Sequence, residues 1–306
     1  MTEQQAQSQR FNGTVAVFFT AHYQVTTRDW DNIREFNGPH HPLAGPYRSD
    51  DPVVLTRQLH EMRRAGIDAI VYDCYGFREW TLTDMPKDRT LAMLADSLDH
   101  QSNETRKLKL IIWLEKYMYN PTLEEYRFAL DYVRKHLAGR EFYVAWQGRP
   151  LVLTYHNGDN QAIDEVEWEN DFFTLRRVRP YQSDVWSYIN HYPQRLSREW
   201  MVASPGFDPY LENAYIETHV KKEPNVDLDA LRRDTRKHAA DREDGAYFRK
   251  QLLRAREGDP AFLFLSGWND WQYASQIEPA VEYGFQYVDM AARLLGRQAE
   301  TAPYRA

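Results

Sequence analysis

Cysteine is almost absent from this chain, which has a single one, Cys74. One cysteine excludes an intrachain disulfide framework and any cysteine-rich zinc or iron–sulfur site. The sequence also lacks an apolar run approaching the ~20 residues that a membrane-spanning helix needs. Its first residues lack the basic end and apolar run of a secretory signal. We therefore expect a soluble, cytoplasmic protein with no membrane partner.

Positive charge is also in short supply. The 306 residues include 38 lysines and arginines against 45 acidic residues, which gives a net charge of -7 with histidine neutral. A surface that follows nucleic-acid phosphates needs an excess of Lys and Arg, so no nucleic-acid partner is expected. The 10 histidines show no HExxH motif or other regular ligand spacing, so no metal site is predicted.

Aromatic residues are abundant, at 14% of the chain with 20 Tyr and 9 Trp. Tyr and Trp carry a polar group and favour half-exposed positions. Most of them fit an ordinary core and surface. The alternative, which composition leaves open, is a groove in which sugar rings stack on indole and phenol faces.

Short apolar runs alternate with segments of helical period. Strands are predicted at residues 14–19, 67–72, 108–114, 151–155, 201–203 and 261–265, with a weaker one at 171–178. Residues 212–241 are too polar to assign. Strands that are apolar throughout and separated by helices indicate a parallel sheet covered on its outer face.

The sequence has no glycine-rich nucleotide-binding turn after the first strand. We therefore predict an α/β fold, a (β/α)8 TIM barrel. The barrel is expected to form one domain over residues 11–298, with loose ends at 1–10 and 299–306.

Polar and aromatic residues follow the ends of these strands. In a barrel the carboxyl ends of the strands carry the active site. The acidic residues there are Asp73, Glu115, Asp208 and Asp270. A single acid at a strand end is more often a helix cap, but four on one rim favour a site that processes sugars, because carboxylates transfer protons and aromatic rings support the sugar.

Several long motifs then become informative. Residues 41–52 read HPLAGPYRSDDP, 62–76 read MRRAGIDAIVYDCYG, 204–208 read SPGFD and 268–279 read WNDWQYASQIEP. In this order and spacing the chain resembles glycoside hydrolase family 99 and the related WbsX-like proteins of polysaccharide gene clusters. The resemblance implies a (β/α)8 barrel that acts on α-linked glycans, with neither metal nor organic cofactor.

The chain departs from the family at the acid/base motif. The resemblance implies a base at the position of Asp270 and a general acid at that of Tyr273, both Glu in the family. Asp withdraws the carboxylate by roughly 1.5 Å, enough to impair a positioned base. Tyrosine ordinarily titrates near ~10, too high for an acid near neutral pH.

Three hypotheses follow from this departure. The chain is a carbohydrate-active enzyme whose proton donor has moved, with Glu115 as donor and Asp270 as its partner. It is alternatively an enzyme of glycan or natural-product assembly that acts on a sugar-bearing small molecule, or a non-catalytic sugar-binding barrel. The predicted catalytic residues are Asp270, Glu115 and Tyr273.

The predicted partner is a carbohydrate or a sugar-bearing small molecule, and the oligomeric state stays open. Tyr47 and Glu278 have an alternative role in holding loops through backbone hydrogen bonds. The predicted substrate-binding residues are His41, Tyr47, Asp73, Tyr75, Trp113, Tyr117, Asp208, Trp268, Asn269, Trp271 and Glu278.

Overall fold

A computed structural model describes residues 2–23, 30, 33, 38–74, 87–115, 122–155, 161–179, 186–190, 193–218 and 227–297. The strands are β1 (Thr14–Phe19), β2 (Ala69–Cys74), β3 (Lys109–Leu114), β4 (Ala145–Trp146), β5 (Arg149–Tyr155), β6 (Thr174–Arg179), β7 (Trp186–Ser187), β8 (Trp200–Ala203) and β9 (Phe262–Leu265). The helices are α1 (Glu3–Ser8), α2 (Pro52–Arg64), α3 (Lys87–Asp99), α4 (Leu123–His136), α5 (Gln161–Glu169), α6 (Tyr210–Thr218), α7 (Leu228–Arg236), α8 (Ala246–Gly258) and α9 (Gln286–Leu294).

Eight parallel strands form a nearly closed barrel, which confirms the predicted (β/α)8 fold. Their order is β7-β6-β5-β3-β2-β1-β9-β8, and β4 adds an antiparallel hairpin to β5. Gln147 and Gly148 close that hairpin with φ of 55° and 78°. Two successive positive φ values give a turn whose twist matches that of the strands.

The strands are buried on both faces, as their unbroken apolar runs predict. Val15 and Val17 of β1 pack outward in the layer between strands and helices. Ala16 and Phe18 pack inward with Val71 and other interior residues. Side chains alternate across a strand, so each strand contributes to a core inside the barrel and to a second core under the helices.

The first long helix, α2, begins and ends at residues of the types that are typical of helix ends. The Asp51 side chain accepts a hydrogen bond from the Val53 N–H at 2.8 Å, with Pro52 in the first turn. Gly66 follows the helix with φ of 81°. Glycine adopts this left-handed conformation without the cost that a Cβ imposes, so it ends the helix and turns the chain into β2.

Some elements of the fold were not predicted from the sequence patterns. The weak seventh strand is β6, whereas β4 and β7 are two-residue strands that periodicity does not reveal. The unassigned segment contains α7 and most of α6. Polar sequences of this kind form helices when a few apolar positions pack on a neighbour, so tertiary context decides their structure.

The first ten residues, predicted as a loose end, contain helix α1. Its N-terminus has a capping box between Thr2 and Gln5, and Ala6 is fully buried. The Arg256 guanidinium donates to the carbonyl oxygens of Ala6 and Gln9, both at 2.6 Å. These bonds attach the segment to α8. The domain limits at 11 and 298 stay a prediction, and residues 299–306 lie outside the described residues.

Among the residues that the structure describes, no helix has the length and apolar character to cross a bilayer. Cys74 packs in the layer between strands and helices and is buried.

Candidate active site

Two acidic side chains meet at the carboxyl ends of neighbouring strands. Val71 and Trp113 point into the barrel, so Asp73 and Glu115, each two residues further on, point the same way. The two strands hold them in register, with Asp73 paired to Trp113. The Glu115 N–H donates to the Cys74 carbonyl at 3.0 Å, which extends the pairing past the end of β3.

The Glu115 carboxyl group favours its protonated form. Burial raises its pKa well above the usual range, and the charge of Asp73 and a hydrogen bond to Asp73 raise it further. Asp270 adds a smaller repulsion. Neighbouring carboxylates in a desolvated site cannot all ionise, so Glu115 keeps its proton beside Asp73.

Asp270 contributes a third carboxyl group from the loop after β9. Burial raises its pKa to about 6, while hydrogen bonds from the Ser275 hydroxyl and the Tyr273 N–H oppose that rise. The Ser275 Oγ–Asp270 Oδ2 distance is 2.7 Å. A carboxyl group that titrates near 6 is a carboxylate at neutral pH and lies beside a neighbour that is still protonated. That arrangement suits acid and base roles.

The loop after β8 closes this side of the site. Asp208 is exposed at the rim, and desolvation by its neighbours raises its pKa. The Tyr210 hydroxyl donates to the Trp271 carbonyl at 3.1 Å. Burial raises the pKa of Tyr210, and the charges of Asp270 and Asp208 raise it further, so this phenol lies within range of both acids.

Tyr273 lies half-buried in the same loop cluster. Its ring stacks on that of Phe207, with centroids 5.4 Å apart and planes 6° from parallel. The Tyr273 carbonyl accepts a hydrogen bond from the Asp208 N–H at 2.8 Å. The tyrosine therefore links the loops after β8 and β9 through its ring and its backbone.

Much of the remaining predicted binding set forms a buried network centred on Glu278. The Tyr47 hydroxyl and the Trp271 indole N–H donate to Glu278 Oε2 at 2.8 and 3.0 Å. Arg57 and Gln58 of α2 donate to Oε1 at 3.0 and 2.9 Å. Glu278 is 1% exposed. A carboxylate with these partners satisfies both of its oxygens inside the protein.

Asn269 extends this Glu278 network to the first strand. Its side chain donates to the Thr20 carbonyl at 2.8 Å and accepts from the Thr20 N–H at 2.9 Å. The Tyr23 hydroxyl accepts a hydrogen bond from the Trp271 N–H at 3.1 Å. The loop that carries Asp270 is therefore held against α2 and the chain after β1.

The other predicted residues lie in different surroundings. Trp268 is fully buried in the layer under the helices, and Trp113 lies in the barrel interior, edge-on to Phe18 with centroids 5.0 Å apart. The side chain of His41 is 54% exposed and pairs with Glu282 at 2.7 Å. Tyr75 and Tyr117 fall outside the described residues.

The structure thus brings together Asp73, Glu115 and Asp270, and it groups Tyr47, Asn269, Trp271 and Glu278 in the Glu278 network. Sequence reasoning did not single out Ser275, Arg57 or Tyr210. Ser275 lies within the motif at 268–279 but has an ordinary residue type, and Arg57 and Tyr210 lie at positions without a motif. In the described ranges, no group of three or more His, Cys, Asp or Glu is arranged to hold a metal ion.

Comparisons with known proteins give no match to a family model, and no curated protein matches. Solved structures do match in fold. A GH99 endo-alpha-mannosidase from Bacteroides thetaiotaomicron, in complex with bis-tris-propane, superposes with a TM-score of 0.64 at 13% identity, over 93% of this chain and 97% of that one. A second structure of such an enzyme from that organism gives 0.60 at 12% identity, with the same coverage of 93% and 97%.

A glycoside hydrolase-like protein also matches, with a TM-score of 0.58 at 13% identity over 96% of this chain and 99% of that one. These three similarities span nearly the whole of each partner. They establish that this chain has the fold of the GH99 endo-alpha-mannosidase structures.

Proposed function

We propose that this chain is a carbohydrate-active enzyme that acts on an α-linked glycan or a glycosylated small molecule, with an acid/base pair unlike that of the enzymes it resembles. The observation that carries the proposal is the Glu115 carboxyl group, whose burial beside Asp73 raises its pKa while Asp270 titrates at about 6. One group is protonated and one ionised at the same pH.

In this proposal Glu115 is the proton donor to the departing oxygen and Asp270 is the base or charge-stabilising partner. The neighbouring charge of Asp73 keeps Glu115 protonated until it gives its proton to the departing oxygen. Tyr273 donates a hydrogen bond or shapes the pocket through its stack on Phe207. These roles need neither metal nor organic cofactor, and the carboxyl groups and aromatic rings suit a carbohydrate partner.

A second candidate is transfer rather than hydrolysis, in an enzyme of glycan or natural-product assembly. The third is a sugar-binding barrel in which Asp270 hydrogen-bonds hydroxyl groups without turnover. The raised pKa of Glu115 favours catalysis, because a pure binding site gains nothing from a carboxyl group held with a perturbed pKa. A cytoplasmic location stays a prediction.

The test uses wild type, Asp270→Asn and Asp289→Asn, the last being a control on the exposed side of α9. Each protein is incubated in heavy-oxygen water with α-linked mannose and glucose oligosaccharides and sugar-bearing small molecules. Products are followed by mass spectrometry. We expect label-bearing sugar from wild type and the control only, with sugar affinity of Asp270→Asn within about tenfold of wild type.

The other outcomes separate the alternatives. Unlabelled transfer products from wild type would replace hydrolysis with transfer. Sugar binding without turnover by wild type would make the barrel a binding protein and contradict the proposal. Equal turnover by wild type and Asp270→Asn would remove Asp270 from the mechanism.

A further inference from the structure

Ser275 is a buried residue that contacts Asp270 twice. Its hydroxyl donates to Asp270 Oδ2 at 2.7 Å, and its N–H donates to the Asp270 carbonyl at 3.2 Å. Its own carbonyl accepts from the Gly267 N–H at 3.0 Å, at the start of the same loop. Ser275 is 0% exposed, so water does not compete for its hydroxyl.

The turn between Asp270 and Ser275 does not depend on the hydroxyl. Backbone bonds already close it, with the Ala274 N–H on the Trp271 carbonyl at 3.4 Å and the Ser275 N–H on the Asp270 carbonyl. The Glu278 network holds Trp271 from the other side. The Ser275 hydroxyl is therefore directed at a carboxylate in a loop whose path is fixed by other groups.

We propose that Ser275 is a positioning residue for Asp270: its hydroxyl holds Oδ2 and so sets the orientation in which the carboxylate meets the substrate. The inference rests on the proposed function, since it deepens the role of Asp270. An aspartate side chain reaches less far than a glutamate, so a fixed orientation matters more for a base with this shorter reach.

The same bond favours the ionised form of Asp270, because a hydroxyl that donates to a carboxylate stabilises its charge. Loss of the hydroxyl therefore has a consequence that a purely structural serine would not show. The carboxyl group of Asp270 would hold its proton to higher pH.

The first experiment is a carbon-13 NMR titration of the aspartate carboxyl groups in wild type, Ser275→Ala and Ser187→Ala, without substrate. The Asp270 signal is assigned with Asp270→Asn. We expect Ser275→Ala to raise the pKa of Asp270 by about one unit, the shift that one hydrogen bond to a carboxylate is worth. Ser187, also fully buried, donates to the Ile189 carbonyl, so its loss is a matched structural control.

Ser275→Cys is the second variant. It keeps a side chain of similar shape but replaces the hydroxyl with a weak donor, and it serves if Ser275→Ala does not fold. The expected shift is in the same direction. An Asp270 pKa that is unchanged in these variants, or that moves equally in Ser187→Ala, overturns the proposal.

Turnover of the substrates found active with wild type gives a second readout. In Ser275→Ala we expect the acid limb of the pH profile of kcat/KM to move to higher pH together with the pKa of Asp270. We also expect kcat to fall about tenfold while KM stays within about threefold, because the interaction matters most in the transition state. Ser275→Thr keeps the hydroxyl and should return the acid limb of this profile to its wild-type pH. A rise in KM alone with an unmoved limb contradicts the positioning role.

The two hypotheses fail separately. If no substrate is turned over by wild type, the proposed function fails, whereas the NMR titration still decides whether Ser275 controls Asp270. If wild type is active but the pKa of Asp270 does not shift in Ser275→Ala, only the proposed role of Ser275 is contradicted.

Discussion

The surroundings of Glu278 differ in kind from those of the Asp73, Glu115 and Asp270 carboxyls, although Asp270 and Glu278 belong to one motif. Glu278 accepts hydrogen bonds from Tyr47, Trp271, Arg57 and Gln58, with the Arg57 guanidinium as its counter-charge. Glu115 instead faces Asp73 and Asp270, and its pKa rises. Glu278 has its charge satisfied by donors that hold a loop, whereas Glu115 lies among other acids and retains its proton.

The difference separates structural from chemical use of the same functional group. A buried carboxylate with a full set of donors is rigid, and removing it lowers the stability of the fold strongly. Carboxyls that repel one another cost stability, but the protonated one has a proton available for transfer. Sequence position does not distinguish the two uses, because Asp270 and Glu278 belong to one continuous motif.

The largest expected effect on stability comes from removing Glu278, the buried carboxylate whose oxygens all have hydrogen-bond donors. Glu278→Ala leaves Arg57, Tyr47 and Trp271 without their buried acceptor, so we expect a loss of about 3 kcal/mol or more in the free energy of unfolding. Urea denaturation measures it. The control is Glu282→Ala, which removes an exposed partner of His41 and costs less than about 1 kcal/mol. Equal losses in the two variants would refute the distinction.

Replacing Glu115, which lies among other acids, is expected to raise stability rather than lower it. The folded-state pKa of Glu115 is raised, so its contribution to stability is present below its unfolded pKa and is lost as pH rises towards the folded value. Glu115→Gln keeps the shape and removes this titration. We expect its Tm to match wild type near pH 4 and to exceed it by a few degrees near pH 8.

Thermal unfolding across that pH range provides the measurement. Glu199→Gln, at a half-exposed ion pair with Arg176, is the control and should leave the pH dependence of Tm as in wild type. A Glu115→Gln protein less stable than wild type at pH 8 would mean that Glu115 is ionised and paired in the folded protein.

The smallest expected effect concerns the backbone that joins the two groups. Ala274, between Asp270 and Glu278, has φ of 49°, where a Cβ is disfavoured. Ala274→Gly should stabilise the protein by about 0.5 kcal/mol, seen as a small rise in Tm. Ala292→Gly, within helix α9, should instead cost roughly 1 kcal/mol. A loss of stability in Ala274→Gly would show that the methyl group's packing outweighs the backbone cost.

The elements that follow from sequence alone are those with strong local signals. β1 has the predicted bounds of 14 and 19, since a run of β-branched and aromatic residues favours a buried strand. Asp51 and Gly66, residue types typical of helix ends, mark the two ends of α2. The short strands β4 and β7 and helix α1 have no such signal, because their contacts come from residues distant in the chain.

For the site, the sequence determined that acidic residues follow the strands and that the parallel strands carry them to one rim. Asp73, Glu115 and Asp270 were found in this way, because strand ends are readable from apolar runs. The partners that satisfy Glu278 from α2 were decided by tertiary structure alone. Arg57 and Gln58 lie 221 and 220 residues before Glu278 in the chain, and no local pattern predicts such a contact. Whether a buried carboxyl keeps its proton depends on desolvation and on neighbouring charges, which exist only once the barrel has formed.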